Sequence, residues 1–237
     1  MWILTFFLIV LGFAAAFAGY RDWFTIDRLN KSNVLNGTLV VLVMFTLLMV
    51  AYVFGYFTQE IAAPVMMAGY SMIAGFFIGY AFRLVNLRKT ASQGLYQHRS
   101  FWIDHAPNLL SVILVIYGIF RTAILTDQPV TGIRLTSGIS LMSFGVFIWT
   151  LHVVPEFRSK GIILLDRFIH WRDVISWSWH SESAVKIEFI INDRSGEEVI
   201  SQFVTSIPED EKKEIEIVLS SKMDEFEDYR KEHLIKN

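Results

Sequence analysis

Apolar and polar residues follow two patterns along this chain, and the change between them comes within Phe147–Trp179. Before this stretch, long apolar runs are separated by short polar segments. After it, charged residues are frequent and hydrophobicity alternates with a period of two. The change predicts a membrane-embedded domain over residues 1–154 and a water-soluble domain over residues 155–237.

Five of the apolar runs approach the roughly 20 residues that a membrane-spanning helix needs. We therefore predict a bundle of five transmembrane helices at Trp2–Gly19, Leu39–Phe57, Ile61–Phe82, Leu109–Leu125 and Leu135–Val154. The first run begins without the basic leader of a secretory signal. It is therefore expected to be retained as a span.

The distribution of Lys and Arg predicts the orientation of the spans, because cytoplasmic loops carry an excess of these residues. The first and third loops hold seven of the nine basic residues before residue 155, namely Arg21, Arg28, Lys31, Arg83, Arg88, Lys89 and Arg99. The fourth loop is flanked by the other two, Arg121 and Arg134. We therefore expect an external amino terminus and a cytoplasmic carboxyl-terminal domain.

The carboxyl-terminal region predicts a small antiparallel meander of about five strands closed by one helix. The strand candidates are Gly161–Leu165, Phe168–Trp171, Ile175–His180, Ala184–Ile191 and Glu198–Thr205. A strong turn signal, Asn192–Gly196, joins the last two. Ser206-Ile-Pro-Glu209 fits a capping box, and apolar residues then recur at helical spacing from Ile215 to Phe226.

Several short segments of this region resemble the bacterial PH-like domains that are attached to membrane spans. They are EFRSKGI from Glu156, FIHWRDVI from Phe168, WSW from Trp177, and Ile207-Pro-Glu before the helix. The resemblance covers roughly residues 155–222. It implies an α+β, PH-like domain with a carboxyl-terminal helix, no assigned enzymatic activity, and a location in the bacterial inner membrane. Because this tail is shorter than a full seven-stranded PH fold, we expect a reduced sheet or one that another chain completes.

Composition excludes several classes of function. Residues 155–237 carry twelve Lys or Arg and eighteen Asp or Glu, a balance of −6, so a nucleic-acid partner is not expected. The chain has no cysteine, which excludes disulfides, thiolate nucleophiles and cysteine-ligated metals. No cofactor is predicted.

Two groups of residues are candidate contact sites. Ser71, Gly75 and Gly79 recur every four residues in the third span. Such a stripe lets another helix approach closely, either within the chain, against the second or fourth span, or in an oligomer. Four basic residues of the soluble domain could contact anionic lipid head groups or anchor it beside the last span: Arg158, Lys160, Arg167 and Arg172.

The third loop and three tryptophans offer weaker candidates. A short interfacial helix is expected over Gly94–Ile103. The histidines and aspartate of this loop fit no strong zinc pattern, so no metal site is predicted. Trp171, Trp177 and Trp179 could form a ligand-facing patch or pack into the core.

Three functions follow, and no catalytic constellation is recognisable among the residues. The preferred hypothesis is a non-catalytic integral membrane protein whose cytoplasmic PH-like module binds a partner or signals to the membrane bundle. The alternatives are an oligomeric pore gated through the tail, and a lipid-acting enzyme that uses Trp102, Asp104 and His105. The expected partners are the bilayer and a protein bound through the soluble domain, another copy of the chain included.

Overall fold

The computed structural model describes residues 2–21, 23, 25, 26, 31–56, 58–98, 101–192 and 198–229. The chain divides into two compact units. The first, here called the helical unit, comprises Met1–Asn86 and Asp104–Leu151. The second, here called the sheet unit, comprises Leu87–Ile103 and His152–Asn237. The sequence pattern predicts a single boundary at residue 154, whereas the second unit also includes a segment from the third loop.

Five helices occupy most of the amino-terminal half: α1 (Trp2–Tyr20), α2 (Lys31–Val53), α3 (Gln59–Ala91), α4 (Phe101–Arg121) and α5 (Gly132–Thr150). Over the described residues, four of them are long and apolar enough to cross a membrane, namely α1, α2, α3 and α5. The apolar part of α4 is shorter, His105–Arg121. The prediction of a helical half with several apolar helices is therefore confirmed.

Helix α3 continues well beyond the predicted end of the third span. Its 33 residues correspond to about 50 Å at 1.5 Å per residue, whereas the hydrocarbon core of a bilayer is about 30 Å thick. The additional turns carry Arg88 and Lys89 at the carboxyl end, where a positive charge interacts favourably with the helix dipole. These turns bring α3 into the sheet unit.

Aromatic side chains hold α3 against α5 in the helical unit. Phe77 lies with its ring centroid 4.7 Å from that of Phe144 and 5.0 Å from that of Phe147. Tyr80 meets Phe147 edge to face at 5.2 Å. Aromatic pairs at these separations contribute beyond the apolar area they bury.

The sheet unit contains two antiparallel sheets and a helix. In chain order the strands are β1 (Gly94–Gln97), β2 (Glu156–Arg158), β3 (Gly161–Leu164), β4 (Arg167–His170), β5 (Val174–Ser181), β6 (Ala184–Asn192) and β7 (Glu198–Ser206). The first four form one sheet in the order β1-β2-β3-β4, and the last three form another in the order β5-β6-β7. Helix α6 follows at Lys212–Glu225. The predicted antiparallel sheet region with a carboxyl-terminal helix is confirmed.

Two strands differ from the prediction. The expected interfacial helix over Gly94–Ile103 is wrong, because Gly94–Gln97 forms β1 and α4 begins at Phe101. Strand β1 pairs with β2, a strand of three residues that the sequence pattern does not reveal. The first sheet therefore gains its outer strand from the same chain, and the strand comes from the third loop.

The core of the sheet unit lies between the sheets and α6. Its largest buried side chains include Trp171, Phe157, Phe189, Ile187 and Leu219. A register shift between Val174 and Ser176 brings Val174 into this core, one residue before the predicted alternation. The predicted Asn192–Gly196 turn falls largely outside the described residues.

The predicted capping box is wrong. The Ser206 hydroxyl donates to the carbonyl oxygen of Ser183 at 3.2 Å instead of capping a helix. The chain then passes through a short 3-10 turn, Glu209–Glu211, before α6 begins at Lys212. Pro208, which precedes this turn, has an extended ψ of 153°, so the regular helix starts several residues later than the motif implies.

Candidate functional site

A buried carboxylate lies at the start of β2. Glu156 is only 3% exposed, and it lies between two guanidinium groups. Arg88 donates from Nε to Glu156 Oε1 at 3.0 Å, and Arg158 donates from Nε and Nη2 to Oε2 at 2.8 and 2.6 Å. Arg88 also donates to His152 Nδ1. A carboxylate with this little exposure is tolerated because charged donors satisfy both of its oxygens.

The same cluster ends helix α3. The last carbonyls of a helix have no intrahelical partner, and Arg158 Nη1 donates to the carbonyl of Ser92 at 2.7 Å and to that of Arg88 at 3.3 Å. Ser92 has a positive φ of 67°, the left-handed conformation that terminates helices. The Trp171 indole in turn donates to the Arg158 carbonyl at 2.8 Å. Arg158 thus joins α3, β2 and the core of the sheet unit.

A second polar cluster fastens β1 to the start of α6. The Tyr96 hydroxyl donates to Glu211 Oε2 at 2.5 Å, and His98 Nδ1 lies 3.1 Å from the same oxygen. Burial raises the pKa of Tyr96, and the hydrogen bond to Glu211 raises it further. Burial also acts to raise the pKa of Glu211, but the hydrogen bonds from Tyr96 and His98 outweigh it, and the pKa lies below its ordinary value.

These two clusters connect segments that are far apart in sequence. The first joins the end of α3 to the segment that follows α5, and the second joins the third loop to α6. Their chemistry is that of structural ion pairs and hydrogen bonds. Among the described residues, no group of three or more His, Asp or Glu side chains could hold a metal ion. The two clusters therefore tie the end of α3, β1, β2 and the start of α6 together through side-chain bonds.

The four predicted basic residues do not form one site. Arg158 is engaged by Glu156 and by the end of α3. Lys160 is exposed in the turn before β3, and Arg172 is exposed and pairs with Asp173 at 3.5 Å. Arg167 pairs with Leu164 at the other end of the β3–β4 hairpin, about 10 Å away at the rise of a strand. Contact of the four residues with lipid head groups stays a prediction; Lys160 and Arg172 lie at the same end of the first sheet.

The small-residue stripe lies in a helix contact within the chain. A Cβ added to Gly75 would come 2.0 Å from the carbonyl oxygen of Gly12, and one added to Gly79 would come 1.9 Å from that of Ala16. Ser71 is near as well, since its carbonyl oxygen lies 3.6 Å from a Cβ placed on Gly12. The partner is α1, whereas the sequence pattern suggested the second or fourth span.

The three tryptophans of the carboxyl-terminal region, Trp171, Trp177 and Trp179, lie on the core side of the sheet unit. Trp171 is buried, and Trp177 and Trp179 pack against the core. Trp179 also donates to Glu216 Oε1 at 2.8 Å. In the third loop, Trp102 and His105 are exposed in the first turns of α4, and the Asp104 side chain is outside the described set. The use of Trp102, Asp104 and His105 in catalysis stays a prediction.

The sequence pattern does not indicate that Arg88 pairs with Glu156 or that Tyr96 pairs with Glu211. Arg88 served only as a basic residue of the third loop, and Tyr96 fell in a segment expected to be helical. Separations of 68 residues for Arg88 and Glu156 and 115 for Tyr96 and Glu211 leave no local signal. The one available sign was an acidic residue, Glu156, directly after a long apolar run.

One family model matches part of the chain. It describes a domain of unknown function (DUF5673), and it covers residues 154–224. No curated protein and no solved structure gives a significant match. The matched residues include β2 to β7 and most of α6, but not β1, which the third loop supplies. The chain is thus similar to this family in its carboxyl-terminal third.

Proposed function

We propose that this chain is a non-catalytic integral membrane protein whose sheet unit is a cytoplasmic, PH-like module that binds a partner and signals to the membrane helices. The observation that carries the proposal is the Glu156 cluster, with Arg88 on α3 and Arg158 on β2. A partner that displaces β2 would act directly on the carboxyl end of α3 through these ion pairs.

The connections of the chain between its two units support the proposed signalling. The chain passes between the two units three times, at residues 86–87, 103–104 and 151–152. Two of these passages lie inside continuous helices, α3 and α4. The sheet unit is therefore connected to the helical unit through three chain segments rather than through one linker.

The layout of the sheet unit supports the PH-like assignment. Over the part of the chain that the structure describes, β1 brings the number of strands to seven, divided four and three between two antiparallel sheets, with α6 following the last strand. This is the number of strands of a full PH fold, and the third loop supplies the strand that the tail lacks.

Membrane orientation is tested with reporters of location. A reporter fused after Asn237 is expected to be cytoplasmic, and one inserted at Thr58, between α2 and α3, is expected to be external. An external reporter after Asn237, or a cytoplasmic one at Thr58, would contradict the proposed topology.

Partner binding is tested by photo-crosslinking in intact cells. A photoreactive residue in place of Lys160 or Ile217, both exposed on the sheet unit, is expected to capture a polypeptide. The matched control replaces Leu42, an exposed residue of α2, where lipid is the expected neighbour. Capture of no polypeptide from any exposed position of the sheet unit would overturn the proposal.

Signalling is tested separately, by amide exchange in the purified chain with and without the captured partner. Binding is expected to change the exchange of Leu87–Gln97 as well as that of the contact surface. The Glu156→Gln variant should bind but lose the change at Leu87–Gln97. A pore is not our proposal, because the glycines that suggested an oligomer face are in contact with α1.

A further inference from the structure

The last strand of the sheet unit has an open edge. Strand β7 ends the order β5-β6-β7, and among the described strands it pairs only with β6. It is nine residues long, and its register with β6 runs from Glu198 to Ser206 without a shift. An edge of this kind presents a row of unpaired N–H and C=O groups to any strand that can add to it.

The other sheet edges of the described chain are protected and β7 is not. Proteins blunt their edges with short strands, bulges, prolines or lysines. Strands β1 and β4 have four residues each, and β5 carries two register shifts. Strand β7, with the sequence EVISQFVTS, has no proline and no basic residue. It has the character of a strand that is covered by a partner.

The exposed side chains of β7 suit a second copy of the same strand. Phe203 packs against the core, so Ile200, Gln202 and Val204 lie on the opposite face, where Ile200 is 69% and Val204 49% exposed. If two β7 strands overlap fully and antiparallel, Gln202 faces its own copy, and each Ile200 faces Val204 of the other chain. Both apolar residues then gain a cross-strand apolar partner.

The charges agree with the same register. The strand has one charged residue, Glu198, and in this pairing it faces Ser206 of the other copy. Like charges are therefore never directly opposed, which would be unfavourable. The contact is isologous, the kind that closes a two-fold dimer, and it joins two three-stranded sheets into one of six strands.

We propose that two copies of this chain associate through antiparallel pairing of their β7 strands, centred on Gln202. The inference rests on the proposed function, because it names the partner of the sheet unit as a second copy held in the same membrane.

Single cysteines test the register, because the natural chain has none. Gln202→Cys in cell membranes, treated with a mild oxidant or a short thiol-reactive linker, is expected to give a covalent dimer. Facing Cβ atoms in an antiparallel pair lie about 4.5–5.5 Å apart. Ser178→Cys is the matched control, exposed on β5 of the same sheet, and it should give little dimer.

A mixture of two variants fixes the alignment. Ile200→Cys and Val204→Cys should each crosslink poorly alone and should crosslink to each other when coexpressed with different tags. All three sites are exposed, so the variants are expected to fold.

Two results would overturn the inference. Gln202→Cys could give no more dimer than Ser178→Cys, or the mixed pair could fail to crosslink. If Gln202→Cys instead crosslinks to a different polypeptide, the second copy is wrong while the proposed function stands. If neither Gln202→Cys nor a photoreactive residue at any exposed position of the sheet unit captures a protein, the inferred dimer and the proposed function are both wrong.

Discussion

Two glycines of α3 mark the place where a single methyl group would separate two helices. Gly75 and Gly79 contact the backbone of α1, and the approach is closer than any side chain permits. In a membrane, where apolar burial does not distinguish a helix from lipid, packing of this kind is a main source of helix association. The structure therefore assigns the stripe a definite role in joining α1 to α3.

Gly79→Ala is expected to destabilise the purified protein, and Gly69→Ala in the same helix is the matched control. A Cβ at residue 79 meets backbone at 1.9 Å, whereas one at residue 69 meets nothing within 4 Å. Overpacking of this kind costs about 1–3 kcal/mol. Thermal denaturation in one detergent would show a lower midpoint for Gly79→Ala alone. Equal midpoints would contradict the α1–α3 contact.

Substitution of Glu156 is expected to destabilise the protein more than Gly79→Ala does, because two partly buried cations depend on one buried carboxylate. Glu156→Gln leaves Arg88 and Arg158 close together without a counter-ion, and loss of a buried partner costs about 3–5 kcal/mol. Amide exchange across β2 and the end of α3 should accelerate about a hundredfold or more, at 1.4 kcal/mol for each factor of ten.

The control for this change is a surface ion pair. Glu188 pairs with Lys186 at 2.6 Å on the side of β6 away from the core, where both side chains are partly exposed and such pairs contribute little. Glu188→Gln should therefore leave exchange in β2 unchanged. Similar acceleration in both variants would mean that the Glu156 cluster has no special role.

The hydrogen bond from Tyr96 to Glu211 makes the attachment of β1 to the start of α6 sensitive to alkaline pH. Its pKa is raised in the folded chain by burial and by Glu211, so the stabilisation is fully present below the ordinary tyrosine pKa of about 10. It is lost as the pH rises from there through the folded-state value. Protection of β1 against amide exchange, corrected for the intrinsic rate, should thus fall above pH ~10.

Tyr96→Phe should remove this alkaline dependence and weaken β1 already at neutral pH. At neutral pH the stability of β1 should fall by about 1.5–3 kcal/mol, the usual contribution of a hydrogen bond to a charged group. Tyr117→Phe, at an exposed site of α4, is the control. An unchanged alkaline profile in Tyr96→Phe would show that another group is responsible.

At the scale of the element, the sequence predicts helices and strands that carry an apolar run or a regular alternation. Helices α1, α3 and α5 follow from runs of apolar residues, and β5 to β7 follow from alternation over eight or nine positions. Strands β1 and β2 have four and three residues, and neither contains the run of three apolar residues that marks the equally short β3. They form because β1 pairs with β2 and β2 pairs with β3, and that information is not local.

The candidate site was unpredictable for a related reason. Its members belong to four elements, and each looks ordinary in its own segment: a basic residue after a helix, an acid before a strand, a tyrosine in a loop. Burial is what gives Glu156 its importance, and burial depends on the pairing of β1 with β2. The small-residue stripe was readable from spacing alone, but its partner helix was not.

At the scale of the whole molecule, the sheet unit is discontinuous in sequence, and this has a consequence for its folding. The family match and the sequence pattern both end at residue 154 on the amino-terminal side, yet Tyr96 is buried in the core next to Phe157, with ring centroids 5.7 Å apart. Residues 152–229 alone lack β1 and Arg88. They expose one side of β2 and leave Glu156 without one of its two cations.

We therefore expect residues 152–229 to be poorly folded when expressed alone, and to fold when residues 87–98 are supplied. Gln97 pairs with Glu156 in the β1–β2 register, so a short Gly/Ser linker from His98 to His152 would close a hairpin in place of α4 and α5. The fused chain should unfold cooperatively, as followed by tryptophan fluorescence in urea.

The matched control is the same fusion with Tyr96→Ser, which keeps the length and removes the core side chain and the bond to Glu211. The free energy of unfolding of this variant should be lower by about 3 kcal/mol or more, as is usual when a buried aromatic side chain is replaced by a small one. If residues 152–229 alone unfold as cooperatively as the fusion, then β1 is an accessory strand. The end of α3 would then be a tether to the sheet unit, and the route by which we expect a bound partner to act on the helices would be lost.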